Sequence, residues 1–304
     1  MRKITPWYIL TVILTRAQFI SRFIPDRRYL EIIYRGYMGH RLDLENPRYF
    51  NEKIQWMKLY DRDPKYARLI DKYEVKKFVA DTVGEEYVIP TLGVYDRFED
   101  IDFEALPNSF VIKCTHDSGS TVVVKDKALM DTEAVRKKIK KCLRRNIYYI
   151  YREFYYKSIK PRIIIEEYKE NVSSDTANEN LGGQLLDYKI FTFDGEPAFV
   201  EFDFNRFVSH KRNLYDLDWN LMDKAIGFPT DHSVKVQKPE KLDEMLEISR
   251  KLSKGLYFVR VDLYCISGQI YFGELTFLPD AGLPDFRPDS FGLEVGGMMH
   301  LPGR

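Results

Sequence analysis

The sequence predicts an α+β fold, because its helical and extended segments come in separate blocks and the extended segments pair as hairpins. Apolar residues recur at helical spacing in blocks such as 63–83 and 132–151, whereas polar and apolar residues alternate in blocks such as 259–277. Short turn signals at Asp194-Gly195 and Ser267-Gly268 predict two hairpins. A regular alternation of strand and helix, which would indicate a parallel sheet, does not occur in this pattern.

The composition allows a large core and bounds the range of partners. The chain has 304 residues, of which 44% are hydrophobic and 14% aromatic, so that one two-lobed domain or two domains can form. A net charge of +1 creates no global field that would attract a polyanion, and we expect no nucleic-acid partner. The three cysteines are widely spaced and odd in number, which fits neither a disulfide framework nor a zinc site and indicates a reducing cytoplasm.

The N-terminus carries a short apolar run. Residues 7–14 follow Arg2 and Lys3, as in a secretion signal, but arginines and no small-residue cleavage site come next. The run is also shorter than the roughly 20 apolar residues that cross a bilayer. We expect a helix packed on the body of the protein. The alternative is a peripheral contact with the inner face of the membrane, because apolar residues interleaved with arginines suit an interface.

The remaining elements follow from turn residues and from the spacing of apolar side chains. Asn46-Pro47 opens a helix, Gly84 and Pro90 end the next one, and the polar stretch 173–183 predicts a flexible connection. The predicted helices span 52–60, 63–83, 132–151 and 239–254. The predicted extended segments span 87–89, 110–114, 121–124, 162–168, 187–193, 197–204, 259–264 and 272–277.

The C-terminal hairpin carries charged residues that strands seldom contain. Arg260, Asp262 and Glu274 interrupt two otherwise apolar segments, so they need a reason to be there. Two carboxylates that face each other repel unless a cation lies between them, and a site made only of oxygen ligands suits Mg²⁺. The alternative is a solvated hairpin face on which Arg260 neutralises one acid.

The length of the turn decides whether the two acids meet. A two-residue turn would place Asp262 and Glu274 on opposite faces of the hairpin, whereas a three-residue loop, Ser267-Gly268-Gln269, or a bulge would place them opposite each other. We expect the longer loop. It pairs Ile266 with Ile270, Tyr264 with Phe272 and Arg260 with Thr276, and it turns Val259, Val261, Leu263, Leu275 and Phe277 to the core.

A second candidate site lies around Lys113. This lysine stands on a predicted strand and is followed by the loop His116-Asp117-Ser118-Gly119-Ser120. An ammonium group, backbone N–H groups and hydroxyls can together bind phosphate oxygens. The sequence contains no GxxxxGK[ST] pattern, so this is not a P-loop, and an ordinary hairpin turn is the alternative.

Further charged residues lie in the central part of the chain. Asp187 and Lys189 share one strand face, and Arg206 opens a cationic stretch that could hold a phosphate and an anionic intermediate or form a solvated loop. Glu166 and Glu167 end an apolar strand, where they could meet an adenine or ribose, or where the strand simply reaches the surface. The cationic stretch also contains His210, Lys211 and Arg212.

A basic helix is the strongest local charge block. Cations are concentrated in residues 136–145, and several tyrosines follow between residues 148 and 156. Such a run usually forms a solvated helix face, and binding of a phosphorylated or uronic acceptor sugar is the functional alternative.

The order of these motifs resembles the ATP-grasp superfamily, and in particular its TupA-like branch, which is named for teichuronopeptide biosynthesis and associated with cell-surface polysaccharide assembly. The resemblance runs from about residue 46 to the end and rests on five ordered motifs. They are NPRYFNEKIQWMKLYD from Asn46, DKYEVKK from Asp71, FVIKCTHDSGS from Phe110, DYKIFTFDG from Asp187, and VRVDLY with FGELTF from Val259 and Phe272.

The resemblance implies an ATP site between two α+β lobes. The expected arrangement is a helical N-terminal extension over residues 1–66, a lobe with a phosphate-covering loop over 67–168, and a lobe with the metal-binding hairpin over 169–304. Lys113 and Lys189 match lysines that reach the nucleotide phosphates. The other expected nucleotide-binding residues are Ser118, Gly119 and Ser120 in the covering loop, and Glu166, Glu167 and Tyr168 in the strand that meets adenine.

The resemblance also implies the catalytic and metal-binding residues. Asp262 and Glu274 match the carboxylates that hold Mg²⁺ against the phosphates, and Thr276 stands where a metal-binding asparagine is common, so whether one or two Mg²⁺ bind is left open. Arg260 matches the arginine that stabilises the acyl phosphate and the tetrahedral species after it. The expected catalytic residues are Arg260, Lys189 and Arg206.

Three functional hypotheses follow. The first is an ATP-dependent carboxylate–amine ligase of polysaccharide biosynthesis, with a small amine and a carboxylate, such as a uronic or other sugar-linked acceptor, as partners. The second is a glycosyltransferase-like polysaccharide enzyme, and the third is a non-catalytic ATP-binding scaffold of the same assembly. Lys113 and Lys189 together favour ATP.

Overall fold

Two antiparallel sheets organise the protein. The computed structural model of the chain describes residues 5–170, 187–204, 210–234 and 236–302. One sheet has four strands and the other has five, and helices pack against both, which confirms the α+β fold predicted from the sequence. The predicted flexible connection at 173–183 and the candidate catalytic residue Arg206 lie outside the described residues.

The elements are numbered here in chain order. The helices are α1 (Pro6–Arg16), α2 (Gln18–Ser21), α3 (Asp26–Met38), α4 (Phe50–Tyr60), α5 (Lys65–Ile70), α6 (Glu74–Val83), α7 (Thr132–Leu143), α8 (Tyr148–Tyr151), α9 (Leu242–Ser253) and α10 (Asp289–Gly297). The strands are β1 (Thr91–Tyr95), β2 (Phe110–Cys114), β3 (Val122–Val124), β4 (Ile163–Glu167), β5 (Asp187–Phe193), β6 (Glu196–Phe204), β7 (Lys211–Tyr215), β8 (Ala225–Ile226), β9 (Phe258–Ile266), β10 (Gln269–Thr276) and β11 (Phe286–Arg287).

The smaller sheet has the strand order β1-β4-β2-β3. On β2, Phe110, Ile112 and Cys114 are buried in a core shared with α7, so that Lys113 lies on the opposite face of the sheet. Helix α7 buries an apolar stripe that includes Ile139. Its basic residues make surface ion pairs with acids such as Glu99, which supports the interpretation of a solvated helix face.

The larger sheet has the strand order β10-β9-β5-β6-β7 and contributes most of the main core. Helices α4, α5, α6, α9 and α10 supply much of the rest of that core. The alternation in the C-terminal hairpin sends one face into it, as predicted, and its buried members are Val259, Val261, Leu263, Leu275 and Phe277. The other face of the hairpin is therefore left for the charged residues.

The N-terminal helices form a third core, which confirms the predicted helical extension. Leu14 of α1 packs with Tyr29, Leu30, Ile33 and Tyr34 of α3, and Ala281 and Leu283 from the end of the chain join them. No helix in the described part of the chain combines the length and the apolar character that crossing a bilayer requires.

Two predicted helices are divided in the structure. The helix predicted over 63–83 is α5 and α6, because the carboxylate of Asp71 accepts hydrogen bonds from the backbone N–H groups of Tyr73 and Glu74 and thereby ends one helix and starts the next. The helix predicted over 132–151 ends at Leu143 and resumes as α8. In the extended segment predicted from residue 87, Tyr87 ends a 3₁₀ turn, Glu85–Tyr87, whereas Val88 has extended backbone angles and the strand begins at Thr91.

Close packing between α10 and α4 gives a test of the fold. A Cβ on Gly296 would lie 2.1 Å from the backbone oxygen of Arg48, whereas a Cβ on Gly297 would meet nothing within 4 Å. We expect Gly296→Ala to lower the free energy of unfolding by about 1–3 kcal/mol through overpacking. Gly297→Ala, the matched control, should be neutral or slightly stabilising, since alanine is the better helix former. Urea denaturation measures both, and equal stability of the two variants would contradict the packing.

Candidate active site

The turn of the C-terminal hairpin has two residues. Ser267 and Gly268 both adopt positive φ, 50° and 78°, as a two-residue turn whose twist matches the strands requires. Gln269 therefore pairs with Ile266, Ile270 with Cys265 and Tyr271 with Tyr264. The three-residue loop is wrong, and so are the pairs that it implied, Ile266 with Ile270 and Tyr264 with Phe272.

A bulge restores the register that the two acids require. The pairing shifts between Phe272 and Glu274, so that Gly273 has no partner of its own and Glu274 faces Asp262. Thr276 then faces Arg260. A Cβ on Gly273 would lie 2.9 Å from the backbone oxygen of Asp262, closer than real Cβ atoms come, so glycine suits this position. The predicted facing of the acids is thus confirmed, by the bulge that the sequence left as an alternative.

A network of charged groups covers this face of the larger sheet. Asp262 pairs in register with Lys189 of β5, and Lys189 pairs with Glu201 of β6. In its described part, the network has more acidic than basic side chains, and most of these side chains are buried. The acids are Asp187, Glu201, Asp203, Asp262 and Glu274, and the bases are Lys189, Arg212 and Arg260.

Arg260 and Asp262 form a pair joined by two hydrogen bonds. The guanidinium donates two hydrogen bonds to the carboxylate, at 2.7 and 2.6 Å, and its Nη2 lies 3.8 Å from Glu274. Burial raises the pKa of Asp262 to about 7 against the opposing charge of Arg260, and Asp187 contributes to the rise. Lys189 lies 2.5 Å from Asp187. The pair is thus held in a site where negative charge exceeds positive charge.

Glu201 is a member of the network that the sequence analysis missed. Its residue is fully buried, and no described group donates a hydrogen bond to either carboxylate oxygen. The nearest cations are Arg212 at 3.2 Å and Arg260 at 3.7 Å, and burial raises the pKa of Glu201 in spite of them. The signal that could have found it is the one used for Asp262, a carboxylate between apolar residues of a strand.

The residues for a metal ion are present in part. The described residues contain no group of three or more His, Cys, Asp or Glu side chains arranged for a metal. Asp262 and Glu274 supply two facing carboxylates, and the Thr276 hydroxyl lies 3.3 Å from Glu274. These oxygens suit Mg²⁺, which commonly takes one or two carboxylates and completes its shell with phosphate and water. The side chains therefore fit a metal that binds together with a phosphate ligand.

Lys72 connects the hairpin with the candidate phosphate loop. Its ammonium donates a hydrogen bond of 2.6 Å to the backbone oxygen of Asp117 and lies 3.9 Å from Glu274. The Glu274 side chain is 44% exposed, and its partial loss of solvation opposes ionisation, but Lys72 and Arg260 outweigh this effect and lower the pKa of the carboxyl. Lys72 was missed because it stands at the division between α5 and α6, where the sequence predicted one continuous helix.

The candidate phosphate loop, residues 116–120, is held by buried hydrogen bonds at its base and is exposed at its tip. The buried Ser120 hydroxyl donates a hydrogen bond to Asp117 and accepts one from the backbone N–H of Cys114, while Ser118 and Gly119 are exposed. Arg145 donates a hydrogen bond to the Ser118 backbone oxygen at 2.6 Å. Backbone groups and the Ser118 hydroxyl at the tip are therefore the accessible part of the loop, whereas the Ser120 side chain is used within it.

Lys113 lies beside Glu166, the first of the three residues that are expected to meet adenine. Its ammonium is 2.5 Å from Glu166, which also lies 2.6 Å from Lys76 of α6. Burial disfavours the ionised carboxyl, but the two lysines outweigh it and lower the pKa of Glu166. Glu167 lies 3.0 Å from Lys169, and Tyr168 is half-buried. Lys113 and Glu166 thus form one cluster on the face of the smaller sheet that does not meet its core.

The described residues of the cationic stretch are not a solvated loop. Arg212 is buried, donates a hydrogen bond of 2.8 Å to Asp203, and lies 3.1 Å from Asp280. His210 lies 2.8 Å from the same Asp203 carboxylate. The solvated alternative is therefore wrong for Arg212, which belongs to the charged network.

A cavity of about 680 Å³ opens beside the network. Its wall combines Ser118 of the loop, Arg260 and Glu274 of the hairpin, and side chains of the N-terminal and α8 regions. Glu153 lines it as well and is 8% exposed, and its carboxyl group receives no hydrogen bond from a described residue. Burial raises the pKa of Glu153 to about 7 although Lys58 opposes the shift. The cavity thus joins the charged network to a lone carboxyl group.

A strained loop forms another part of the cavity wall. Asp280 and Ala281 both adopt left-handed backbone angles, with φ of 48° and 55°, which are costly for residues other than glycine. Helix α4 holds this loop, because Gln55 and Lys58 donate hydrogen bonds of 3.1 and 2.7 Å to the Ala281 backbone oxygen. The motif around residues 51–58, which the sequence provided only as a resemblance, therefore positions Asp280.

The raised pKa of Glu153 predicts a pH-dependent stability. A folded-state pKa of about 7 lies above the ordinary value of 4.5, so the folded chain retains a proton that the unfolded chain releases, and stability falls between these pH values. Between pH 4.5 and 8 we expect Glu153→Gln to gain about 1–3 kcal/mol of unfolding free energy relative to the unmodified chain. Urea denaturation across this range measures the difference. Glu247→Gln, at an exposed position, is the control, and parallel pH profiles for all three proteins would contradict the assignment.

Comparisons with known proteins give one family model and several solved structures. The model of the TupA-like ATP-grasp family matches residues 52–300. No curated protein sequence matches the chain. Solved structures of similar fold include the D-alanine–D-alanine ligase from Bacillus anthracis complexed with ATP, with 17% identity and a TM-score of 0.39, where the match covers 70% of this chain and 54% of that one.

Two further solved structures are similar at the same level. The D-alanine–D-alanine ligase from Helicobacter pylori has 16% identity and a TM-score of 0.42, and the match covers 83% of this chain and 69% of that one. The ATP-grasp ligase PsnB, complexed with a phosphomimetic variant of minimal precursor, Mg and ADP, has 12% identity and a TM-score of 0.42, with 92% and 72% covered. The chain spans only about half of the Bacillus anthracis ligase. Because the family model matches most of the sequence, the chain belongs to the TupA-like ATP-grasp family.

Proposed function

We propose that this chain is an ATP-dependent carboxylate–amine ligase that acts through an acyl phosphate in the synthesis of a cell-surface polysaccharide, such as a teichuronopeptide or a capsule-like polymer. The observation that carries the proposal is the facing of Asp262 and Glu274, beside Arg260 and at the edge of a large cavity. Membership of the ATP-grasp family supports ATP as the cofactor. A cytoplasmic location, which supplies ATP, fits the three cysteines, none of which forms a disulfide.

The nucleotide-binding groups come from both sheets. Lys113 and Lys189 hold the phosphates as point charges, and the backbone N–H groups and the hydroxyl at the exposed loop tip, Ser118 and Gly119, cover them. Ser120 acts by holding the loop, because its hydroxyl bonds Asp117 and the Cys114 backbone. The strand residues Glu166, Glu167 and Tyr168 form the adenine and ribose side of the site.

Mg²⁺ supplies charge neutralisation at the phosphates when it is bound. Asp262, Glu274 and Thr276 would hold it, and the excess of carboxylates in the network fits the addition of positive charge. Arg260, already buried beside both acids, stabilises the negative charge of the activated carboxylate, and Lys189 supports it from the next strand. Arg206 is proposed for the same role from sequence alone.

The cavity beside these groups is the proposed place for the two substrates. Glu153 provides a carboxyl group that can accept a hydrogen bond or a proton from an amine, and Arg145 on the same wall can pair with a carboxylate. A uronic or other sugar-linked acid is therefore the proposed acceptor, and a small amine is its partner.

The proposal is tested first by binding and then by turnover. Isothermal titration should show ATP binding that requires Mg²⁺, and ADP release should then appear only when a uronic acid and an amine are added together. ADP release in the absence of both the acid and the amine would contradict the ligase assignment. A product that contains no new amide would contradict it as well. Mg²⁺-dependent binding of a nucleotide sugar in place of ATP would favour the glycosyltransferase-like alternative.

The metal-binding acids give a direct mutational test. Glu274→Gln should abolish Mg²⁺-dependent ADP release with little change in stability, because the Glu274 side chain is 44% exposed. Asp262→Asn should abolish it too, but should also destabilise the fold, since Arg260 loses its closest partner. Thr276→Asn, which introduces the commoner ligand, should be tolerated.

The matched control for the acids is Asp223→Asn. The Asp223 side chain is 98% exposed, so this variant removes one carboxylate without touching the network. Turnover at the unmodified rate in Glu274→Gln, with Asp223→Asn also unchanged, would contradict the metal-site assignment.

Lys113 gives a test of nucleotide contact. We expect Lys113→Ala to weaken ATP binding by about 1.5–3 kcal/mol, the scale of a hydrogen bond to a charged group. Lys137→Ala is the control, because Lys137 lies on α7, which packs against the same sheet, and its side chain is 76% exposed. Titration and thermal melting on both variants separate the outcomes. A fall in melting temperature with unchanged ATP affinity would assign Lys113 to the structural pair with Glu166 alone.

A further inference from the structure

The outer side of the N-terminal helices is apolar. Thr11 and Leu14 face the protein and are buried, while Ile9 and Ile13, one turn apart on the opposite side of α1, are 50% and 51% exposed. A surface helix normally presents polar residues on its outer side. Helix α1 contains no acidic residue and only one basic residue, Arg16 at its end. The outer side of α1 therefore exposes apolar side chains to water, where polar side chains would be favoured.

The next turn of chain extends the same surface. Phe19 and Phe23 pack edge to face with ring centres 5.8 Å apart, and they are 75% and 78% exposed. Most of the large exposed hydrophobic side chains in the described ranges belong to this one region. We name it the N-terminal apolar face, and its members are Trp7, Ile9, Leu10, Ile13, Phe19, Ile20 and Phe23. A grouped apolar surface of this kind marks an interaction site, whereas scattered ones do not.

Positive charge surrounds the N-terminal apolar face. Asp26 is the sole acid among the first 28 residues, and it is already held by the Tyr148 hydroxyl at 2.9 Å and by Arg152 at 3.0 Å. Arg35 lies over the Trp7 ring at 4.3 Å. The exposed cations in the described part of this segment are Arg16, Arg22, Arg27 and Arg28, of which Arg27 pairs with Glu31 and Glu45. The partner must therefore be apolar where it meets the helices and negatively charged around that contact.

We propose that the N-terminal apolar face docks on an anionic phospholipid surface. Apolar side chains enter the boundary between headgroups and acyl chains, and the arginines meet the lipid phosphates, as in helices that lie in a membrane interface. Trp7 suits the headgroup level, where tryptophan is enriched. The proposal is independent of the ligase activity, because it uses none of the residues assigned to that reaction.

Docking would also place the cavity near the membrane. Helix α8 supplies Ile150 and Tyr151 to the cavity wall, and the Ser21 hydroxyl at the end of α2 donates a hydrogen bond to the Tyr149 backbone oxygen of α8. The α3 residue Tyr37 lines the same wall. The helices that carry the apolar face thus pack against α3 and α8, and these two helices line the cavity.

Vesicle sedimentation with the full chain tests the proposal. We expect binding to vesicles of phosphatidylglycerol and phosphatidylcholine at least about tenfold tighter than to phosphatidylcholine alone, since each basic residue near an anionic surface adds attraction. Phe19→Ser with Phe23→Ser should reduce binding by about tenfold or more through the loss of two apolar side chains. Arg16→Glu with Arg22→Glu should remove the preference for anionic lipid.

Two control variants separate docking from general stickiness. Leu129→Ser alters a hydrophobic side chain that is 83% exposed but lies outside the face, and Lys137→Glu with Lys141→Glu alters the other basic surface of the chain. Both should leave vesicle binding unchanged. Thermal melting should show that all variants remain folded, because every altered side chain is exposed.

Three outcomes would overturn the proposal. One is an unmodified chain that does not sediment with anionic vesicles, and another is full binding by the double phenylalanine variant. The third is a dimer in analytical ultracentrifugation that the phenylalanine variant abolishes while vesicle binding is missing, which would assign the face to a second copy of the chain. ADP release without vesicles would leave the ligase proposal intact in each case.

Discussion

The arrangement of the charged site depends on a one-residue bulge at Gly273. A two-residue turn fixes the hairpin register from the tip, and that register alone would send Asp262 and Glu274 to opposite faces. The bulge inserts the one residue that brings them together, and only a residue without a Cβ fits against the Asp262 backbone. The apolar residues of both strands still reach the core, so one insertion satisfies the core and the site at once.

Among the residues that the structure describes, the charged network contains more acidic than basic side chains. Burial raises the pKa of Asp262 and of Glu201, and the nearby Asp187 and Asp203 add to these shifts, although Arg260 and other cations oppose them. Lys72 relieves part of this at Glu274 and at the same time ties the phosphate loop to the hairpin. A site of this kind gains most from a ligand that brings positive charge together with oxygen ligands, as a magnesium–nucleotide complex does.

The N-terminal helices are joined to the site through a strained loop. Ala281 and Leu283 pack in the N-terminal core, while the neighbouring Asp280 accepts a hydrogen bond from Arg212 of the charged network. The left-handed angles of Asp280 and Ala281 persist because buried side chains of α4 hold the backbone oxygens. The N-terminal core and the cavity wall thus share the residues of this one loop.

The sequence by itself determined the fold class, the helical extension, the hairpin at Asp194-Gly195 and the polar face of the C-terminal hairpin, because apolar periodicity and turn residues act locally. It also named Asp262 and Glu274 as partners. Tertiary structure decided how they meet, because a bulge adds one unpaired residue to a strand and leaves no periodic signal in the sequence. Lys72 and Glu153 became visible only in three dimensions, because their roles arise from burial and from neighbours that are distant in the chain.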